Sequence, residues 1–162
     1  MTQTYEPIST QTVSGTSTST ITFSSIPQTY TDLVLVINGQ TSADVDIFVR
    51  FNSDTATNYS YTVMQGNGSS AVSSRVSNST GWSTTSGNPS LGFTTYITNI
   101  FNYTNATTFK TSITRTNTND RTGAIASIWR ATPAAITTVN VLVYSGYFIA
   151  GSTFTLYGIK AE

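Results

Sequence analysis

The 162-residue sequence contains no cysteine and no histidine. Without thiols there is no disulfide, no thiolate nucleophile and no zinc–cysteine or iron–sulfur centre, and folding is indifferent to the redox compartment. Without imidazole there is no Ser-His-Asp triad and no side chain whose ordinary pKa lies near neutrality. Charge is scarce too. Seven Lys and Arg balance seven Asp and Glu, so 9% of residues are charged where about 25% is usual. No basic cluster stands out, which removes the counterion release that drives nucleic-acid binding. The longest unbroken apolar run is Leu33 to Ile37, far short of the roughly 20 residues of a membrane-spanning helix. Met1 to Pro7 lacks the basic start and apolar core of a signal peptide. The expectation is a protein made in the cytosol, with no membrane and no nucleic acid as partner.

What the chain has in quantity is hydroxyl and amide. Thr alone is about a fifth of the residues, and Ser, Thr and Asn together about two-fifths, well above ordinary usage. Such a composition suits disorder or an all-β fold. Disorder needs low hydrophobicity and high net charge. Here 38% of residues are hydrophobic, 12% are aromatic and the net charge is zero. The apolar residues also recur at a period of two, which decides for strands. Val45, Ile47, Val49 and Phe51 fall on one face, with Asp46, Phe48 and Arg50 on the other. Leu91, Phe93, Thr95, Ile97, Asn99 and Phe101 alternate with Gly92, Thr94, Tyr96, Thr98 and Ile100. Tyr59–Met64 and Val139–Tyr144 behave alike, with shorter runs at 20–23, 109–115, 124–130 and 154–159. Leu33–Ile37 is apolar on both faces, as a central strand covered on both sides requires.

This makes about nine strands, punctuated by turn signals such as Asn38-Gly39, Asn52-Ser53-Asp54, Asn67-Gly68 and Ser145-Gly146, the pattern of a sandwich or barrel. One short helical turn is expected at Thr132-Pro133-Ala134-Ala135, with Thr132 as N-cap and Pro133 at the first helical position. Residues 1–18 show no sustained alternation and read as a flexible arm before a single β-sandwich domain at 19–162. Residues 66–90, rich in Gly, Ser and Thr, are long for a structureless connection. They are either functional or conceal a weak strand around Ala71–Val76.

The C-terminal stretch Phe148-Ile149-Ala150-Gly151-Ser152-Thr153-Phe154-Thr155-Leu156-Tyr157-Gly158-Ile159-Lys160 resembles the ending of many tailed-bacteriophage structural proteins. There a Gly-Ser step leads into a last strand reading Leu-Tyr-Gly-Ile. Ile21–Pro27, Tyr30–Leu35 and Val49–Asp54 followed by Asn58-Tyr59-Ser60 resemble the same group, in the expected order. The resemblance implies a jelly-roll-like antiparallel β-sandwich of about eight to nine strands on a virion surface, often trimeric. Such modules serve as capsid decoration proteins, head fibres and tail fibres.

Candidate sites are few. Asp44 and Asp46 are two apart, a spacing that formally allows paired-carboxylate glycosidase chemistry; a solvated or turn-stabilising pair is the expected reading. Asp44, Asp46, Asn52 and Asp54 could offer oxygens to a hard cation, but no EF-hand spacing is present. Glu162 is the last residue. Trp82, inside the Gly/Ser/Thr-rich segment and away from any periodic run, is either tucked under its own loop or a candidate contact anchor. Tyr144 and Tyr147 flank Gly146 and are candidates for the rim of a sugar-binding groove, with strand-end packing the expected reading. The expectation is therefore a non-enzymatic virion structural protein with no cofactor and no metal. It is read as a capsid decoration protein that forms a homotrimer and contacts the major capsid protein or another virion protein. The alternative is a tail-fibre or receptor-binding module for a host surface glycan.

Overall fold

The computed structural model describes residues 4–15 and 17–160. Among them are twelve strands and no helix. In chain order they are β1 (Tyr5–Thr12), β2 (Thr20–Phe23), β3 (Asp32–Gly39), β4 (Ile47–Phe51), β5 (Tyr59–Gly66) and β6 (Ala71–Ser79). Then come β7 (Trp82–Ser83), β8 (Thr94–Phe101), β9 (Lys110–Asn117), β10 (Thr122–Trp129), β11 (Val139–Val143) and β12 (Thr153–Ile159). They form an eight-stranded sheet in the order β1-β12-β3-β8-β9-β10-β5-β6 and a four-stranded sheet in the order β2-β11-β4-β7. All pairings are antiparallel. The chain is thus an all-β sandwich, with more strands than the eight or nine expected. The additional ones are β1, β6 and β7.

Strand alternation builds the core. Ile47, Val49 and Phe51 of β4 and Val139, Val141 and Val143 of β11 point at Leu33, Leu35 and Ile37 of β3 and Phe154 and Leu156 of β12 in one buried cluster. β3 is central, as its doubly apolar sequence requires, lying between β12 and β8. Its second face is covered only in part, since Val34 is buried and Val36 half-buried. The large sheet extends past the small one at both margins. At one margin the Gln11 side chain donates to the Thr22 carbonyl at 2.7 Å and ties β1 to β2. At the other, β7 touches β5 and β10.

Two expectations need correction. Residues 5–12 of the supposed arm form β1, paired along its length with β12; the arm's residues 1–3 and 16 lie outside the described residues. Alternation is weak there because β1 is an edge strand, mostly exposed and interrupted by a bulge between Pro7 and Ser9. Thr132–Ala135 forms no helical turn. Long-range bonds hold this segment open instead. Asn52 Nδ2 donates to the Ala135 carbonyl at 2.8 Å, and the Ile136 amide donates to the Tyr103 carbonyl at 2.9 Å. The concealed strand near Ala71–Val76 is present as β6.

The Leu-Tyr-Gly-Ile signature has a packing reason. A Cβ at Gly158 would fall 2.3–2.5 Å from carbons of the Tyr30 ring, which lies directly on the glycine. The Tyr30 hydroxyl donates to Glu6 at 3.1 Å, and Lys160 Nζ donates to the other Glu6 oxygen at 2.7 Å. The ring therefore clamps β1 and β12 together. Gly158→Ala should cost about 1–3 kcal/mol through overpacking and should cost far less in a Tyr30→Ala background. Equal penalties in the two backgrounds, measured by denaturant unfolding, would refute the clamp.

Candidate functional site

The sequence candidates do not converge on one site. Trp82 is not a surface anchor: it is 0% exposed. β7 carries it under the large sheet, where Phe51 meets it edge-on at 4.5 Å and Tyr59 at 6.2 Å. Trp129 stacks on Tyr59, completing an aromatic cluster. The residues that follow, Ser83, Thr84, Thr85 and Ser86, are buried as well. A hydroxyl-rich stretch can enter an interior only if its polar atoms are bonded, and these are. Thr84 donates through its amide and its hydroxyl to the Ile47 carbonyl, at 2.9 and 3.1 Å. Ser86 reaches Thr116, and Thr85 Oγ1 donates to Asp46 at 2.8 Å.

Tyr144 and Tyr147 remain at the surface, one exposed and one half-buried. Tyr144 is held rather than free. Its hydroxyl bonds Thr80 at 2.7 Å and accepts from Arg50 at 3.1 Å. Phe48 packs 4.4 Å from its ring, and the Arg50 guanidinium lies 5.2 Å from the ring centroid. Tyr147 is fixed through its backbone, which exchanges hydrogen bonds with Ser42.

The carboxylates serve local structure. Asp54 accepts from the Ala56 amide at 2.9 Å, from Asn58 at 2.8 Å and from the Trp129 indole at 2.7 Å. Asn52 Oδ1 accepts from the Thr137 and Thr138 amides. Among the described residues no three or more Asp or Glu gather where they could hold a metal ion; Glu162 lies outside those residues. Burial pushes the Asp46 carboxyl above its usual range; bonds from Thr85 and Ser83 oppose this and the charge of Asp44 adds to it. Burial also acts upward on Asp54, but its bonds from Asn58, Trp129 and Ala56, with the Arg50 charge, outweigh it and hold that carboxyl low.

The feature that sequence reading missed is the outer face of the large sheet. On β8 the positions turned inward are Thr94, Tyr96, Thr98 and Ile100. The alternate series with Ile97 and Phe101, preceded by Leu91 and Phe93, points away from the sandwich. On β9 the inward positions are Lys110, Ser112, Thr114 and Thr116, leaving Ile113 and Arg115 outside. The interior tolerates this because hydroxyls pair across strands, as Thr98 and Thr114 do at 2.9 Å. Buried Lys110 donates to the carbonyls of Thr108 and Asn105. Trp82 Nε1, Ser112 Oγ and Ser127 Oγ are buried without a protein partner; Ser112 and Ser127 sit directly opposite one another.

Outward strand positions across the large sheet are uncharged except for Asp32, Arg75 and Arg115 among the described residues. Leu91, Phe93, Phe101 and Phe109 are 54%, 46%, 41% and 50% exposed. Ile97 lies opposite Arg115. Both residues line a groove of about 530 Å³ with Tyr5, Val34, Val36 and Tyr157. A second groove, of about 510 Å³, also has Ile97 and Arg115 in its wall. The Arg115 guanidinium has no hydrogen-bond or ion-pair partner among the described residues. The surface presents apolar area with a lone cation near its middle, the composition of a contact face. No family model matches the chain, and a search of curated proteins finds no match.

Two measurements check this placement. Trp82→Ala should destabilise by about 3–5 kcal/mol, as truncation of a core aromatic does, where a surface anchor would change stability little. The two carboxylates should titrate with opposite sign. A carboxylate depressed by the fold stabilises above its unfolded pKa and loses that contribution as pH falls through the folded value; one raised by the fold destabilises as pH climbs past its unfolded value. Asp54→Asn should lower the melting temperature at neutral pH, with the gap closing on acidification. Asp46→Asn should raise it at neutral pH, with the gain fading in acid. Melting curves that moved in the same direction for both variants would contradict the assignment.

Proposed function

We propose that this chain is a non-enzymatic structural subunit of a tailed-phage particle, a capsid decoration protein held in place by the outer face of its large sheet. The observation that carries the reading is the outer face of β8 and β9, where Ile97, Phe101 and Ile113 are turned outward around Arg115 while Thr and Ser fill many of the inward positions. A free monomer would gain nothing from that arrangement; a subunit seated on another protein would bury it. Low charge favours the same use, since few groups must lose water when surfaces meet.

Strand order supports the jelly-roll reading suggested by the C-terminal resemblance. The chain alternates between sheets, and β2-β11-β4-β7 faces β3-(β8-β9-β10)-β5-β6. Those are the two interleaved four-strand sets of a jelly roll, with a three-strand meander in one place and β1 and β12 added at a margin. The glycan-binding alternative loses its anchor, because Trp82 lies inside the fold and the ring of Tyr144 already contacts Phe48 and Arg50.

Purified chain added to its own expanded heads should bind them and should not label host cells. Ile97→Asp should weaken that binding roughly tenfold or more, equivalent to about 1.4 kcal/mol. Thermal stability should stay within about 0.5 kcal/mol of the parent, as for most surface substitutions. Binding to heads that ignored both Ile97→Asp and Arg115→Glu would defeat the proposal, as would labelling of cells in place of heads.

A further inference from the structure

Sheet edges expose unpaired backbone groups, and proteins normally blunt them with short strands, proline, bulges or cover. Three of the four edges here are treated so. β2 is 4 residues long and its Thr22 carbonyl is capped by Gln11. β7 is 2 residues long. β1 carries Pro7 and a bulge. The fourth edge, β6, is 9 residues long, has no proline and is exposed at every position from Ala71 to Asn78; its one bulge falls past Val76, where Asn78 takes a positive φ, and leaves Ala71–Val76 regular. Its one charge is Arg75. Val72 and Val76, 54% and 37% exposed, lie on the sandwich side, past the reach of the small sheet.

The hairpin phase shows which backbone groups are free. The Asn67 amide donates to the Ser70 carbonyl at 3.2 Å. Hydrogen-bonded pairs alternate along an antiparallel ladder. From that start Val72, Ser74 and Val76 bond back to Gln65, Val63 and Tyr61, their opposite numbers on β5. Ser73 and Arg75 therefore aim their amides and carbonyls away from the sheet.

We propose that β6 pairs antiparallel with β6 of a second copy of this chain, across a two-fold axis at Ser74. A two-fold contact must be self-complementary, and this strand is. In that register Ser73 of each copy exchanges backbone bonds with Arg75 of the other, so no arginine faces an arginine directly. Val72 of each copy lies opposite Val76 of the other, on the same side, forming two apolar cross-strand pairs. The joined sheets form one surface sixteen strands wide. The inference goes beyond the particle reading and stands without it. It also differs from the trimer that the C-terminal resemblance implies, so mass alone separates the two.

The test uses the full chain in light scattering and native mass spectrometry. The parent is expected to be a dimer whose Ser73 and Arg75 amides exchange hydrogen more slowly as concentration rises. Ser73→Pro removes only an outward amide, which an edge strand tolerates, and should halve the mass with the fold retained by far-ultraviolet circular dichroism. The double variant Val72→Lys/Val76→Lys, on exposed side chains, sets like charges opposite one another and should also be monomeric. Val72→Lys/Val76→Glu sets opposite charges across the axis and should remain dimeric. A monomeric parent with fast exchange at Ser73 and Arg75 would overturn the proposal. So would a trimer, or a dimer that persists in both Ser73→Pro and Val72→Lys/Val76→Lys.

Discussion

Neighbouring strands sit about 4.8 Å apart, so a sheet of eight is roughly 34 Å across and a sheet of four about 14 Å. The rest of this structure follows from having to fill the wider with the narrower. Four strands cover most of the wider sheet only because segments between strands complete the inner layer. Tyr30 lies on Gly158, Tyr103 and Ile136 close one end, and Trp82 with the residues up to Ser86 fills the space under β5, β10 and the end of β9. β6 falls outside even this extended cover and is wet on both faces.

Filling space with hydroxyl-bearing segments changes what the opposing strands must present. On the inner face of β9, Thr116 meets Ser86 from below, Thr114 meets Thr98 of the adjacent β8, and Lys110 meets the carbonyls of its own preceding loop. A buried polar group is tolerable when bonded and costly when not. The interior here is therefore specified by pairing as much as by volume. With hydroxyls at Thr94 and Thr98 of β8 and at Ser112, Thr114 and Thr116 of β9 turned inward beside Tyr96 and Ile100, the period-two alternation places Ile97, Ile113 and Phe101 outward.

This also explains what could be read in advance. Val45–Phe51 showed its inward face plainly, because β4 packs against apolar neighbours throughout, aliphatic around Ile47 and Val49 and aromatic around Phe51. β3 was legible as central because Leu33–Ile37 is apolar throughout. Turn chemistry at Asn52 and Asp54 was legible too, since amide and carboxylate groups at those spacings bond nearby backbone. Alternation gives the phase of a strand but not which phase faces in. For β8 that choice depends on Ser83–Ser86 and β9, which are remote in sequence. The choice between a tucked and an exposed Trp82 stays open in the sequence for the same reason. Its Gly, Ser and Thr neighbours look like a solvated loop, and only their long-range bonds to Ile47, Asp46 and Thr116 bring them inside.

Low charge ties the two surfaces together. A chain with few ionic groups cannot protect its apolar outer face by ringing it with Lys and Glu, nor blunt β6 with inward-pointing charge. It relies on Thr and Asn, which keep a surface wettable without the large desolvation cost of ions. Each of those hydroxyls can trade a water for a backbone group at far lower cost than an ion can shed its hydration, so the scarcity of charge lowers what any contact with this surface would have to overcome.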